Sequence, residues 1–247
     1  MEKTDERVLK HDEKIERNGY IIKQGANLNG ANLRNANLRG LDLRETILCK
    51  ADLSGADLSY ANLCYADLYK AKLCRARMLR TQLIGANLHK ANLSKISARY
   101  SDFRSAGLEK ANLYKADLIY SDLTLANLYK ANLYKAELIQ TNLYRANLSV
   151  AYLYKANLCG ANIIEASFKE ANLRKANLDF SCLPFHCGSF GIIADDRLVA
   201  QIFAHWARLD VSNCSPMVRY FHKITTEMFG KYMSNLFCNF RDDIDSI

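Results

Sequence analysis

Residues 111–135 read ANLYK ADLIY SDLTL ANLYK ANLYK when written in fives. Ala or Ser opens each quintet, Asn or Asp usually follows, and Leu is third. The register continues in both directions without an insertion, from Ala26 to Phe185, giving 32 quintets. The third position is Leu in 27 of them, with Met78, Ala98, Phe103, Ile163 and Phe168 as the exceptions. The first is Ala in 24 and the second is Asn or Asp in 22, so size and apolarity constrain positions one and three while four and five vary freely.

Neither regular element accepts this spacing. On an α-helix, successive leucines five residues apart fall about 140° from one another and smear around the axis. On a straight strand, side chains alternate faces, and an odd repeat sends each leucine to the face opposite the last. A bend in every quintet solves the problem. Positions one and three then point inward together, and four bends close a square coil of 20 residues. Eight such coils at ~4.8 Å each would stack to roughly 38 Å. Proline is absent from the repeat until Pro184, as expected where many N–H groups must pair with neighbouring coils.

The A-(N/D)-L-x-x pattern, unbroken over two thirds of the chain, resembles the pentapeptide-repeat family. The resemblance implies an all-β fold, a right-handed quadrilateral β-helix of about eight coils; the handedness comes from the resemblance alone. From the residues themselves we read a non-enzymatic interaction module presenting flat faces to a partner. Some members of the family resemble duplex DNA in size and charge, bind DNA gyrase in its place and protect it from inhibitors. Those mimics need a negative surface, and this chain departs from that, with 34 Lys and Arg against 26 Asp and Glu and a net charge of +8. Nor does any break in register supply projecting loops.

Flanking segments divide the chain into 1–25, 26–185 and 186–247. Residues 1–17 are mostly polar and predict a short N-terminal helix capped by Thr4. Asn18-Gly19 signals a turn, and Tyr20-Ile21-Ile22 a strand-like segment that covers the open end of the first coil. Beyond Pro184 the spacing predicts a helical hairpin over the last coil, its second helix opening at Ser215-Pro216. Trp206, Phe221, Met228, Phe229, Tyr232, Met233 and Phe237 supply more apolar surface than one coil requires. Two readings stand: they cover that coil alone, or they also join two copies in a homodimer.

Residues 20 apart should stack, so the quintets sort onto four faces, named here A (from Ala26), B (from Ala31), C (from Ala36) and D (from Leu41). Face B carries nine Lys or Arg against one Asp or Glu; face D carries three against five. Lysines at position five form columns on two faces. Face A has Lys50, Lys70, Lys90, Lys110 and Lys130. Face B has Lys95, Lys115, Lys135, Lys155 and Lys175, with Arg75 below and Arg174 beside its end. Tyr114, Tyr134 and Tyr154 make a second column on face B. A lysine ladder with interleaved tyrosines is a candidate docking face for an acidic protein surface or for nucleic acid. The competing reading is that duplication copied ANLYK and the tyrosines merely cover the coil.

No Ser-His-Asp, paired-carboxylate or phosphate-loop signature is present, and no cofactor is implied. Asp42, Asp57, Asp102, Asp117 and Asp122 belong to the repeat. Cys182, His186 and Cys187 lack a familiar zinc spacing. With no apolar run long enough for a membrane span and no export signal, the expectation is a cytoplasmic protein with free thiols. Its partner would be a protein, or nucleic acid bound through face B, with gyrase disfavoured by charge.

Overall fold

The structure, a computed structural model, describes residues 15–178. Within that range the chain winds as a parallel ladder. Residue 27 bridges 47, 47 bridges 67 and 67 bridges 87, and the same step of twenty holds on the other three faces as far as Asn157 with Asn177. Positions one and three fill the interior whatever their identity, including Leu41, Ile96, Met78 and Phe103. Where a hydroxyl replaces Ala, it finds a partner, as burial demands. Thr81 and Thr141 donate to the Leu58 and Leu118 carbonyls at 2.8 and 2.9 Å, Thr46 to that of Leu43 at 2.7 Å, and Ser101 to that of Met78.

The coil is built from a nearly complete pairing of its amides. Position one donates to the carbonyl three residues earlier and closes the turn (Ala31 to Leu28, 3.0 Å). Position two donates to position one of the preceding coil (Asp52 to Ala31, 2.9 Å), and position three to position two of the following coil (Leu33 to Asp52, 2.8 Å). Position five donates to position four of the following coil (Asn35 to Ser54, 3.0 Å). Position four has no place in that scheme, and the side chain two residues earlier takes its N–H. Asn32 Oδ1 accepts from Arg34 at 3.3 Å, Asp52 Oδ1 from Ser54 at 3.1 Å, and Asn112 and Asn132 from Tyr114 and Tyr134 at 3.2 and 3.1 Å. This Asx bond is the reason Asn and Asp dominate position two.

Position five is not free, contrary to the expectation from sequence. Every fifth residue from Gly25 to Lys175 has φ between 53° and 71°. A left-handed residue at the second central position only is the type II turn. Among the non-glycine residues there, Val150 alone is branched at Cβ; Lys, Arg, Tyr, Gln and Glu keep Cβ slim, and branched side chains are the ones that φ penalises most.

The N-terminal end differs from expectation at three residues. Strand β1 (Ile15–Arg17) pairs antiparallel with β2 (Tyr20–Ile22), where a helix was predicted through residue 17. The cause is the two-residue turn between them: Asn18 and Gly19 both have positive φ (51° and 80°), the type I′ geometry that sets a hairpin. Side chains of this hairpin replace the coil that is absent below the first one. Asn18 Nδ2 donates to the Asn32 and Arg34 carbonyls at 3.2 and 3.4 Å and Arg17 Nε to that of Asn37 at 3.1 Å; Tyr20 Oη accepts the Asn32 N–H at 3.3 Å. In later coils these same groups pair with backbone, so the hairpin covers an open sheet edge. The rest of the predicted N-terminal helix and the C-terminal hairpin, with Trp206, Phe221, Met228, Phe229, Tyr232, Met233 and Phe237, lie outside the described residues.

Relief and aggravation of the position-five strain make the first prediction. Val150→Gly should stabilise the β-helix by about 1 kcal/mol. Gly85→Val should destabilise it by more, because a Cβ there would meet the Tyr65 ring at 2.7 Å. Urea midpoints report both, and a Val150→Gly variant no more stable than the parent would refute the strain argument.

Candidate functional site

Each turn runs from position three to the next position one, so the side chains at four and five stand at the corners. Lys50, Lys70, Lys90, Lys110 and Lys130 therefore sit where face A turns into face B. Arg75, Lys95, Lys115, Lys135, Lys155 and Lys175 sit where face B turns into face C. The two columns assigned by counting to separate faces border the same strands, one along each edge of face B. All are exposed except Lys135, which is half-buried. The first column was counted in the sequence but left out of the candidate site; what was missing was that position five is a corner.

Tyr114, Tyr134 and Tyr154 stand at position four beside their lysines. Their rings stack along the coil axis, with centroids 5.6 Å apart from Tyr114 to Tyr134 and 5.7 Å from Tyr134 to Tyr154. Tyr152 replaces Asn at position two and joins the stack, 5.9 Å from Tyr134 and 6.1 Å from Tyr154. The Lys115, Lys135 and Lys155 ammonium groups lie 5.5, 5.5 and 5.6 Å from the ring centroids of their own turns, and Lys175 lies 5.9 Å from that of Tyr154. The other edge repeats the device, with Lys70 over Tyr69 and Lys130 over Tyr129 at 5.1 and 5.0 Å. Such contacts contribute about 0.5–1 kcal/mol each at exposed sites.

Between the edges runs a column of amides. Asn132 Nδ2 donates to Asn112 Oδ1 at 3.0 Å, and Asn112 Nδ2 to Asn92 Oδ1 at 3.3 Å. Asn112 Oδ1 and Asn92 Oδ1 also accept the amides of Tyr114 and Ser94. Both lone pairs of each are thus engaged, while each side chain keeps an N–H for the outside.

The carboxylates are distributed differently. The one acid of face B, Asp52, pairs with Arg34 at 3.4 Å. Burial alone would raise its carboxyl, but the Ser54 hydroxyl and amide, with Arg34 and Lys72, outweigh that and hold it below the usual range. On faces C and D, arginines meet the acids: Arg99 with Asp117 at 2.6 Å, Arg104 with Asp102 and Arg44 with Asp42 each at 2.7 Å, and Arg145 with Glu165 at 2.6 Å. Among the described residues, Lys50, Lys70, Lys90, Lys95, Lys110, Lys115, Lys130, Lys135 and Lys155 form no ion pair.

Burial, reinforced by Asp67, pushes the Cys49 thiol up to about 11, and burial likewise raises that of Cys64, so neither is a thiolate at neutral pH. Among the described residues no group of three His, Cys, Asp or Glu is placed to hold a metal ion, and no helix is long and apolar enough to cross a membrane. Cys182, His186, Cys187, His205, Cys214 and His222 lie outside them.

A square parallel ladder with Ala and Leu inside and a type II turn at every corner defines a quadrilateral β-helix. The family model for pentapeptide repeats matches in eight copies, across residues 26–63, 51–97, 81–118, 111–149 and 151–184. The chain belongs to the pentapeptide-repeat family, and its coil is the right-handed one of that family. Among solved structures it is similar to trypsin-treated QnrB1, a plasmid-mediated fluoroquinolone resistance protein, with 18% identity, 73% of this chain and 95% of that one covered, and a TM-score of 0.53. It is also similar to HetL, a pentapeptide-repeat protein involved in heterocyst differentiation regulation from the cyanobacterium Nostoc sp. strain PCC 7120, with 31% identity, 70% and 87% covered, and a TM-score of 0.35. A search of curated proteins found no match.

The lysine columns predict a stability effect whose sign depends on salt. Unit charges ~4.8 Å apart repel by roughly 0.9 kcal/mol in water before screening, and Lys135 has a neighbour on either side. At low ionic strength Lys135→Gln should therefore raise the melting temperature. Near 1 M salt, where the screening length is about 3 Å, the lost contact with Tyr134 should dominate and the variant should melt below the parent. Melting curves across a salt series would show the crossing; a difference of constant sign would count against the account.

Proposed function

We propose that the protein is a non-catalytic β-helical scaffold that docks an acidic macromolecular partner on face B. The observation that carries this reading is the lack of compensation there. Two columns of cations frame one strand column, and among the described residues Lys50, Lys70, Lys90, Lys110 and Lys130 along one edge and Lys95, Lys115, Lys135 and Lys155 along the other form no ion pair, while Arg44, Arg99, Arg104 and Arg145 on faces C and D each meet an acid. A surface that holds like charges together at a cost is relieved by a partner of opposite sign.

The resemblance to gyrase-binding members of the family supplies a second reading, and the fluoroquinolone resistance of QnrB1 is compatible with it. The electrostatics argue against it. A mimic of DNA needs an exposed run of negative charge, and here Asp42, Asp102 and Asp117 are closed by Arg44, Arg104 and Arg99. At 18% identity, the likeness to QnrB1 extends to the fold alone.

The test uses two labelled polyanions, an acidic polypeptide and a nucleic-acid duplex, with the full chain and with a Lys115→Glu, Lys135→Glu, Lys155→Glu variant. The parent should bind at least one of them at low salt, and the variant should lose at least about tenfold in affinity, roughly 1.4 kcal/mol. Failure of the parent to bind either one, or an unaffected variant, would sink the docking reading.

A further inference from the structure

We infer that the partner chemistry face B fits is the phosphodiester backbone of a double-stranded nucleic acid, held without reading its sequence. This rests on the docking reading above and narrows it.

Hydrogen-bonding polarity is the first argument. Lysine ammoniums donate only, and the Asn92 and Asn112 oxygens already accept two bonds each, leaving outward N–H groups. The tyrosine hydroxyls can donate as well as accept. Face B is thus dominated by donors over the Asn and Lys columns. Phosphodiester oxygens are acceptors only. An acidic protein surface interleaves its carboxylates with amides, hydroxyls and cations, which would lie unmatched against such a face.

The state of the tyrosines is the second. Base stacking on aromatic rings is how single strands are held, but Tyr114, Tyr134 and Tyr154 stack on one another, 5.6 and 5.7 Å between centroids. A base inserted between two rings needs them about 7 Å apart, twice the 3.4 Å stacking rise of nucleic acid. Lysine ammoniums also crowd the same rings. The aromatic column is closed to bases, so the face suits a strand whose bases are already stacked inside a duplex.

Periodicity is the third. The same charge recurs at every coil from Arg75 to Lys175, five steps or about 24 Å at ~4.8 Å each. That length of duplex presents about 14 phosphates, one per ~1.7 Å of axis. Identical rungs carry no sequence information. Lysine is a point charge on a flexible stem, able to absorb the mismatch between the coil spacing and the phosphate spacing.

Fluorescence anisotropy with the full chain tests this. The probes are two 24-base-pair duplexes of unrelated sequence, one of their single strands, and poly-L-glutamate. Both duplexes should bind within about twofold of each other, with log K falling against log salt at a slope of about −5, as roughly six phosphate contacts require. The single strand and polyglutamate should bind at least about tenfold more weakly. Lys115→Glu, Lys135→Glu, Lys155→Glu should cost at least about thirtyfold on the duplex. Arg39→Glu, Arg80→Glu, Arg99→Glu, the same charge change on face C, should stay within about threefold. Thermal melts establish that both variants are folded. Polyglutamate bound as tightly as duplex would overturn the nucleic-acid inference and leave the docking reading intact. A preference for single strand would overturn the duplex, equal losses in the two variants would overturn the assignment to face B, and no binding to any polyanion would overturn both readings.

Discussion

A backbone that bends every five residues leaves one amide per quintet without a carbonyl. Four N–H groups are taken by the turn and by the neighbouring coils; the fourth-position N–H is not. In a folded chain such a group must be paired or hydrated, and here the Asn or Asp two residues earlier closes it, as Asn112 does for Tyr114 at 3.2 Å. Most quintets use that bond, and those without it, such as the ones opened by Thr46 and Ala71, keep the same ladder and the same corner. Position five lies in the left-handed region throughout, and that conformation completes a corner of a square. Because the square closes in 20 residues, every side chain stacks on its counterpart one coil away. The Asn that satisfies the backbone also meets its neighbour, so Asn132, Asn112 and Asn92 form a second ladder outside the first.

What the sequence reveals is what the interior selects. Ala and Leu at positions one and three are visible because a small and a large apolar group are both required there, and even substitutions such as Phe103 and Ile96 stay buried. The faces follow from counting. The corner conformation was hidden for a physical reason: φ near 57° disfavours branching at Cβ but tolerates Lys, Tyr, Arg and Glu, so position five looks variable while its backbone is fixed. The location of the face A lysines was hidden with it, since a residue cannot be put at an edge until the corner is known. Residues 15–17 were misread because three polar-flanked residues carry no periodicity, whereas the Asn18-Gly19 turn dictates their pairing.

Stacking identical side chains in register has opposite consequences for different chemistry. An Asn column gains a hydrogen bond at each rung, and a Tyr column gains ring contacts worth about 0.5–1.5 kcal/mol each. A Lys column loses roughly 0.9 kcal/mol per rung before screening. Face B joins all three. The tyrosine and lysine terms are of similar size, and the contact of each ammonium with its own ring offsets part of the repulsion. The column is therefore tolerable in the folded state without being neutralised, which is the condition for an exposed charge to remain available.

Repeat duplication copies side chains but does not by itself create ion pairs between quintets. Copying a quintet would spread lysines and aspartates by the same process, and both would stand as bare columns. The acids do not. Asp102, Asp117 and Glu165 each meet an arginine at 2.7 Å or less, some within the same turn and some from the coil next door. Arg99 reaches Asp117 from 18 residues away, so that pair depends on two different quintets and cannot be inherited with either one. Several acids of faces C and D are thus met by arginines, while the Lys95–Lys155 column and its counterpart along the other edge of face B form no ion pair among the described residues. The proposed docking on face B rests on that asymmetry.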